Sequence, residues 1–439
     1  MNKPIIVKKK INSFDKKIIV SGDKSLSIRW ALLASQAKGK SRAYNLLRSY
    51  DVMSTLNCLK KLGIKVSLKK RYCEIEGMGL NKFKHKKKIT LNAGNSGTLG
   101  RLILGLLIHN INKVKIIGDT SLSQRDFSRV ITPLKKFGAK FKYKKNFKLP
   151  LEITGTRDTK PIYYLENKGS AQCKSCVMLA ALNTEGETII KAKKSRDHTE
   201  ILFKHLKVPI KINKGKNYDL IKIKGKKNIQ KFNYNIPSDI SSSAFFIVLT
   251  LLSKKSKLII KNVNINPTRI GIITILKKMG GKIYFQNKKN YKGEKIADIL
   301  ILSTEKIKPI NCPKNLNSQA IDEFLLIFLV AAKAKGTSIF KDLAELNQKE
   351  SPRLKLGSKI LNLMGIKTKL TNSSIKIFGK PNFSIKNSII IKNYLKDHRI
   401  FMMSMIAALT YGGNWKLHDP DSIKTSFPSF IKLIKKFNN

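Results

Sequence analysis

The sequence predicts an α/β protein of two domains, and three observations lead there. One helix-ending phrase recurs about 70–85 residues apart, a spacing far longer than a solenoid repeat. Each copy is followed by an alternating, strand-like segment and usually by a second one. At 439 residues the chain exceeds one small core and accommodates two.

The phrase reads LKKLGIKVSL (59–68), LKKFGAKFKY (134–143), LKKMGGKIYF (276–285) and LNLMGIKTKL (361–370). A weaker copy, FKHLKVPIKI, occupies 203–212, and LIKKFNN (433–439) closes the chain. A glycine at the end of a helix is a standard stop signal. The second strands are RYCEIEG, PLEITG, LIKIKG, ADILILS and SIKIFG. Six βαβ-type units with appended hairpins account for the chain. The sixth lacks its trailing strand, which PIIVKKK at the start can supply. Residues 1–20 and 238–439 then form a discontinuous domain and 21–237 a continuous one, three units each. The chain crosses near Val20–Gly22 and near Ile236–Asp239, where IPSD reads as a turn. The hairpin after each helix argues against an ordinary doubly wound sheet.

Hydrophobic residues make up 42% of the chain, enough for packed globular structure. No apolar run approaches the roughly 18–20 residues of a membrane span, and MNKPIIVKKK lacks the apolar core of a secretory signal. A cytoplasmic protein without membrane partners is expected. Cys58, Cys73, Cys173, Cys176 and Cys312 are scattered, and the CxxC at 173–176 leads into apolar VMLAALN, so Cys173 and Cys176 read as plain helical cysteines rather than a redox pair. No zinc-site spacing appears. The formal charge of +61 has two competing accounts, nucleic-acid binding and mutational drift toward lysine. The lysines are spread evenly with no basic tail, which favours drift and no specific nucleic-acid partner. Of twelve arginines, eight (Arg29, Arg101, Arg125, Arg129, Arg196, Arg269, Arg353, Arg399) fall within distinctive motifs. Lysine replaces arginine on a solvated surface but not at a forked anion contact.

Those motifs open helices. SGDKSLSIRW (21–30) sets Lys24, Ser25 and Arg29 where a strand hands over to an apolar helix, a place suited to an anion. LNAGNSGTLGRLILGLL (91–107) offers Gly97 for close backbone approach, with Arg101 a turn later. GDTSLSQRDFSRV (118–130) sets Arg125 and Arg129 four apart, on one face if helical. GSAQCKSC (169–176) presents Ser170, Ala171 and Gln172, and KSRDHTEIL (194–202) presents Ser195 and Arg196. IPSDISSSAFF and NPTRIG repeat the design in the second half. Carboxylates enter in SQAIDEFLL (Asp322, Glu323), LAELNQKESPRL (Lys349, Glu350, Arg353) and KDHRIF (Asp397, His398, Arg399). Such helix openings converging from two domains would make a cleft for a multiply anionic ligand, with acids placed for proton transfer.

Taken together, GDKS with its downstream arginine, GNSGT, SLxxR, SAQ, SRDHTE, DISSxAFF, NPTR, IDE, KES and DHR occur in this order. The chain resembles the 5-enolpyruvylshikimate-3-phosphate synthase family essentially end to end. The resemblance implies a two-domain inverted α/β barrel-like fold. It also implies an enolpyruvyl transferase acting on shikimate 3-phosphate and phosphoenolpyruvate, monomeric, without metal or organic cofactor, and a target of glyphosate. Position by position it gives Lys24 to both substrates. Ser25, Arg29, Ser170, Ala171, Gln172, Ser195, Arg196, Asp322 and Lys349 go to shikimate 3-phosphate. Gly97, Arg125, Gln172, Arg353 and Arg399 go to phosphoenolpyruvate. Asp322 and Glu350, with Lys24, are the implied catalytic groups. The chain departs from the family's phrasing at Gly100, Asp126, Ser238, Pro352 and Thr425. The related UDP-N-acetylglucosamine enolpyruvyl transferases carry a site-loop cysteine, and no cysteine here lies in that context.

Overall fold

A chain that leaves a helix for an antiparallel strand needs a break in backbone direction, and one left-handed residue supplies it. In the computed structural model, which describes residues 3–437, Gly63, Gly138, Gly280 and Gly365 take φ between +81° and +107°. They stand just past the helices Tyr50–Lys61, Ser128–Lys136, Gly271–Lys278 and Arg353–Leu363. The weaker copy makes the same break at Lys207, φ 55°. The last two residues of LIKKFNN and the first two of the chain lie outside the described residues.

The sheets follow the repeat. Strand Lys88–Asn92 runs parallel to Lys113–Ile117, which pairs antiparallel with Lys148–Thr154 and through it with Lys140–Lys144. Tyr163–Glu166, Glu187–Lys193, Tyr218–Lys224 and Ile210–Lys214 repeat that order. In the last unit Ser388–Ile391 runs parallel to Asn414–Leu417, and the antiparallel neighbour of Asn414–Leu417 is Ile5–Val7. The opening strand of the chain thus completes its last sheet.

Contacts divide the chain into two compact units. The continuous unit is Gly22–Ile236 with Tyr291–Glu294. Its helices are α1 (Lys24–Gln36), α2 (Tyr50–Lys61), α3 (Gly97–Leu106), α4 (Thr120–Ser123), α5 (Ser128–Lys136), α6 (Ala171–Leu182) and α7 (His198–His205). Helices α1 and α6 are buried on nearly every side, which is why their sequences lack a polar face. Helix α3 lies tight against α6: a Cβ on Gly105 would fall 2.2 Å from the Cys176 carbonyl oxygen. Residues 291–294 were expected in the discontinuous domain. They belong here because Glu294 Oε1 lies 2.6 Å from His198 Nδ1, both buried, and the Tyr291 hydroxyl accepts from Asn235 N at 2.8 Å.

The discontinuous unit holds the chain through Ser21, Pro237–Asn290 and the chain from Lys295. Its helices are α8 (Ile240–Leu252), α9 (Gly271–Lys278), α10 (Asn317–Ala320), α11 (Phe324–Ala332), α12 (Arg353–Leu363), α13 (His398–Tyr411) and α14 (Phe430–Lys435). Every residue of α8 and α11 is buried. At roughly 1.5–3 kcal/mol per buried large apolar side chain, those helices anchor the core and fix their N-termini in place. Each unit has its own hydrophobic core. Among the described residues no helix is long and apolar enough to cross a membrane.

Candidate active site

The short polar residues at the helix starts do ordinary capping. Asp23 accepts from Leu26 N, Ser96 from Leu99 N and Ser170 from Cys173 N in the continuous unit. Asp239 and Asp397 do the same for α8 and α13. Capping satisfies the first backbone donors and leaves the neighbouring cations and glycines for other work.

In the continuous unit, Lys24 opens α1 with Nζ 2.9 Å from Asp51 Oδ2 on α2. Arg29, a turn later and 5% exposed, donates from Nη1 to the Ser25 carbonyl at 3.2 Å. Its Nε donates to Thr199 Oγ1 at 2.8 Å and its Nη2 to Ser175 Oγ at 3.1 Å. Gly97 opens α3, and a Cβ there would sit 2.8 Å from Arg125 Nη1 and 3.1 Å from Arg101 Nη1. Arg101 Nη1 donates to Gln172 Oε1 at 2.6 Å, and Gln172 Nε2 donates to Thr98 Oγ1 at 3.0 Å. Burial lowers the pKa of Arg101 below the usual guanidinium value, and Arg125 and Arg129 push the same way. Helix α6 therefore joins the two groups: Gln172 meets the Arg101–Gly97–Arg125 cluster, and Ser175, one turn on, meets Arg29. Ser195 and Arg196 lie in the loop before α7, and Ser195 Oγ is buried with no hydrogen-bond partner among the described residues.

Arg125 and Arg129 do not share a helical face as the spacing suggested. Helix α4 ends at Ser123 and α5 begins at Ser128. Asp126 breaks the run between them: its carboxylate accepts from Ser128 N and Ser128 Oγ, both at 2.7 Å, so the backbone turns and Arg125 swings to Gly97 while Arg129 stays exposed.

In the discontinuous unit the site is built round Arg353, 2% exposed at the start of α12. Nε and Nη2 donate to Asp397 Oδ2 and Oδ1 at 2.8 and 3.2 Å. Nη2 also reaches Glu350, and Nη1 lies 3.8 Å from Asp322 Oδ1. Lys349 Nζ is 3.7 Å from the same Asp322 oxygen. Arg399 Nη1 donates to the Asp322 carbonyl at 2.6 Å and stands 3.8 Å from Glu323. Burial works against the Arg353 charge, but Asp397, Glu350 and Asp322 outweigh it and raise its pKa. Burial also opposes the Asp397 charge, and Arg353 overcomes it and holds the carboxyl below its ordinary value. Glu323 accepts from Ser241 Oγ, which also accepts from Arg269 at 2.9 Å.

Sequence reasoning missed Asp51, Ser175 and Thr199, and tied Arg101 and Asp397 to no particular substrate. All of these but Asp51 sat inside quoted motifs. Asp51 and Ser175 carry no signal of their own, because only the fold brings them to Lys24 and Arg29. The family departures find local accommodation. Pro352 sits just ahead of α12, where no amide donor is required. Ser238 Oγ donates to Val20 O and Lys261 O at 3.1 and 3.0 Å, and Thr425 Oγ1 lies 3.1 Å from His398 Nδ1.

A family model described as EPSP synthase (3-phosphoshikimate 1-carboxyvinyltransferase) matches residues 8–434. The chain belongs to the EPSP synthase family. A 3-phosphoshikimate 1-carboxyvinyltransferase of Ruthia magnifica is 42% identical over 428 residues, 97% of this chain and 96% of that relative. The enzyme of the same name from Petrotoga mobilis is 36% identical, covering 96% of each. The solved EPSP synthase of Acinetobacter baumannii superposes with a TM-score of 0.87 at 33% identity, over 99% of this chain and 98% of that one. The enolpyruvyl transferase NikO of Streptomyces tendae shares the fold at 14% identity and a TM-score of 0.77. As an EPSP synthase family member with the two-domain inverted α/β fold, the chain transfers the enolpyruvyl group of phosphoenolpyruvate to shikimate 3-phosphate in the shikimate pathway.

Proposed function

We propose that the two clusters serve this one reaction with the roles the family resemblance implies. Lys24 contacts both substrates. Ser25, Arg29, Ser170, Ala171, Gln172, Ser195, Arg196 and Lys349 hold shikimate 3-phosphate. Gly97, Arg125, Gln172, Arg353 and Arg399 hold phosphoenolpyruvate. The 5-hydroxyl oxygen bonds to C2 of the enolpyruvyl group as its proton passes to Asp322, and Glu350 protonates C3. Cleavage of the C2–O bond to phosphate and loss of a C3 proton restore the enol ether. Fixed cations stabilise the phosphate and carboxylate charge throughout.

The observation that carries this reading is the placement of Asp322 and Glu350 against one buried arginine, 3.8 Å and within hydrogen-bonding reach respectively. A shared cation fixes two carboxyl groups beside each other, as an acid and a base acting on adjacent atoms require. Asp322→Asn and Glu350→Gln should each cut turnover about 10²–10⁴-fold, with calorimetric affinity for shikimate 3-phosphate changed far less. Wild-type turnover in either variant rejects that residue's role. We further propose a cytoplasmic monomer, since a single chain carries every residue assigned. Sedimentation as a stable dimer would contradict it.

A further inference from the structure

We infer that Ser175 and Thr199 are positioning residues that preset the Arg29 guanidinium for shikimate 3-phosphate, an inference that rests on the assignment of Arg29 to that substrate. Arg29 comes from α1, Ser175 from α6 and Thr199 from α7, so three helices meet at one side chain. Both residues are 1% exposed, and their hydroxyl oxygens lie 2.7 Å from each other. Thr199 Oγ1 accepts from Nε, Ser175 Oγ accepts from Nη2, and one hydroxyl donates to the other. This fastens one edge of the planar fork, while the Ser25 carbonyl fixes Nη1. A guanidinium held at all three nitrogens cannot change rotamer without breaking several hydrogen bonds at once.

The surroundings reinforce the socket. The residues next in sequence, Lys174 on α6 and Glu200 on α7, form a buried ion pair with side chains 2% and 6% exposed. That pair clamps the two helices which carry the hydroxyls. Neither hydroxyl carries a charge, so neither of these two partners itself cancels that of the guanidinium. Thr199 lies inside the SRDHTE phrase, yet neither hydroxyl is among the residues the family resemblance assigns to a substrate.

The test is steady-state kinetics on the full chain with Thr199→Val, Thr199→Ser and Ser175→Ala. Losing one acceptor to a charged donor should raise KM for shikimate 3-phosphate about tenfold. KM for phosphoenolpyruvate and kcat should stay within about twofold. Thr199→Ser, which keeps the hydroxyl, should restore the wild-type KM. In an Arg29→Ala background, Thr199→Val should add nothing further, because it acts through Arg29. A wild-type KM for shikimate 3-phosphate in Thr199→Val and Ser175→Ala overturns the inference, as does an equal rise in both Michaelis constants. If Arg29→Ala itself leaves KM for shikimate 3-phosphate unchanged, the assignment of Arg29 fails, and the inference with it.

Discussion

Arg353 and Asp397 form a two-point ion pair with both side chains buried, Nε to Oδ2 at 2.8 Å and Nη2 to Oδ1 at 3.2 Å. The same carboxylate accepts from Ser351 Oγ at 2.8 Å and caps α13 through Arg399 N at 2.9 Å. One aspartate therefore sets both the arginine that opens α12 and the first turn that presents Arg399. Asp397→Asn keeps the shape but leaves a buried guanidinium undercompensated, and should cost about 3–5 kcal/mol of stability at pH 7.

Its pH dependence has a definite sign. The Asp397 carboxyl is held below its ordinary value of 3.8. Its contribution is therefore complete above that value and is lost as pH falls through the lower, folded-state value. The gap in melting temperature between wild type and Asp397→Asn should be constant from neutral pH to about 5. It should narrow as the pH drops below 3.8. A gap that instead widens in acid would refute the pairing.

Gly97 leaves no room for a methyl group without moving Arg125, whose Nη1 would be 2.8 Å from the new Cβ. Arg101 Nη1, at 3.1 Å, blocks the other side. The end of an arginine can shift, so Gly97→Ala should fold and bind shikimate 3-phosphate normally. With Arg125 displaced, KM for phosphoenolpyruvate should rise by about tenfold, the equivalent of one charge-assisted contact. Unchanged kinetics would remove Gly97 from that site.

Gly100 and Gly105 share α3 with Gly97 and separate propensity from packing. A Cβ at Gly100 meets Phe127, Ala93 and Leu122 at 3.4–3.6 Å, ordinary contact distances. Gly100→Ala should therefore stabilise the protein by about 0.5–1 kcal/mol, the helical cost of glycine. Gly105→Ala drives a methyl to 2.2 Å from the Cys176 carbonyl oxygen and must part α3 from α6. It should destabilise by about 1–3 kcal/mol and loosen the Arg101–Gln172 contact. Chemical denaturation of both variants ranks them.

The fold was legible because its signal repeats. A helix stop followed by two strands recurs often enough that even the degraded copy at 203–212 could be read, and Lys207 keeps the left-handed turn there without glycine. The candidate site was legible through arginine. Among the eight motif arginines only Arg129 is exposed, whereas Arg42, Arg48, Arg71 and Arg157 outside the motifs are all exposed. Arg129 was grouped with Arg125 because a spacing of four suggests a helix, and the Asp126 turn that interrupts it is a local competition that periodicity does not register. The Ser175–Thr199 socket was invisible for another reason. A buried hydroxyl acquires meaning from the side chain packed on it, and Arg29 is 146 and 170 residues away along the chain.

The cysteines give a last test, of the core that supports the site. Cys173 and Cys176 sit on α6 between Gln172 and the α3 contact, so a redox role would couple thiol chemistry directly to the cluster. Their surroundings oppose it. All five cysteines are buried and free. Burial pushes Cys58 and Cys73 up to about 12 and Cys312 to about 11, and raises Cys173 and Cys176 as well. A thiol titrating near 12 is about one part in ten thousand thiolate at pH 8, and only the thiolate reacts. A disulfide-exchange reagent at pH 8 should therefore modify none of them over minutes in the folded protein and all five in denaturant. Activity should not respond to mild oxidant or reductant. Rapid labelling of Cys173 or Cys176 in the native state would mean that α6 opens, and the Gln172 and Ser175 contacts drawn from it would open with it.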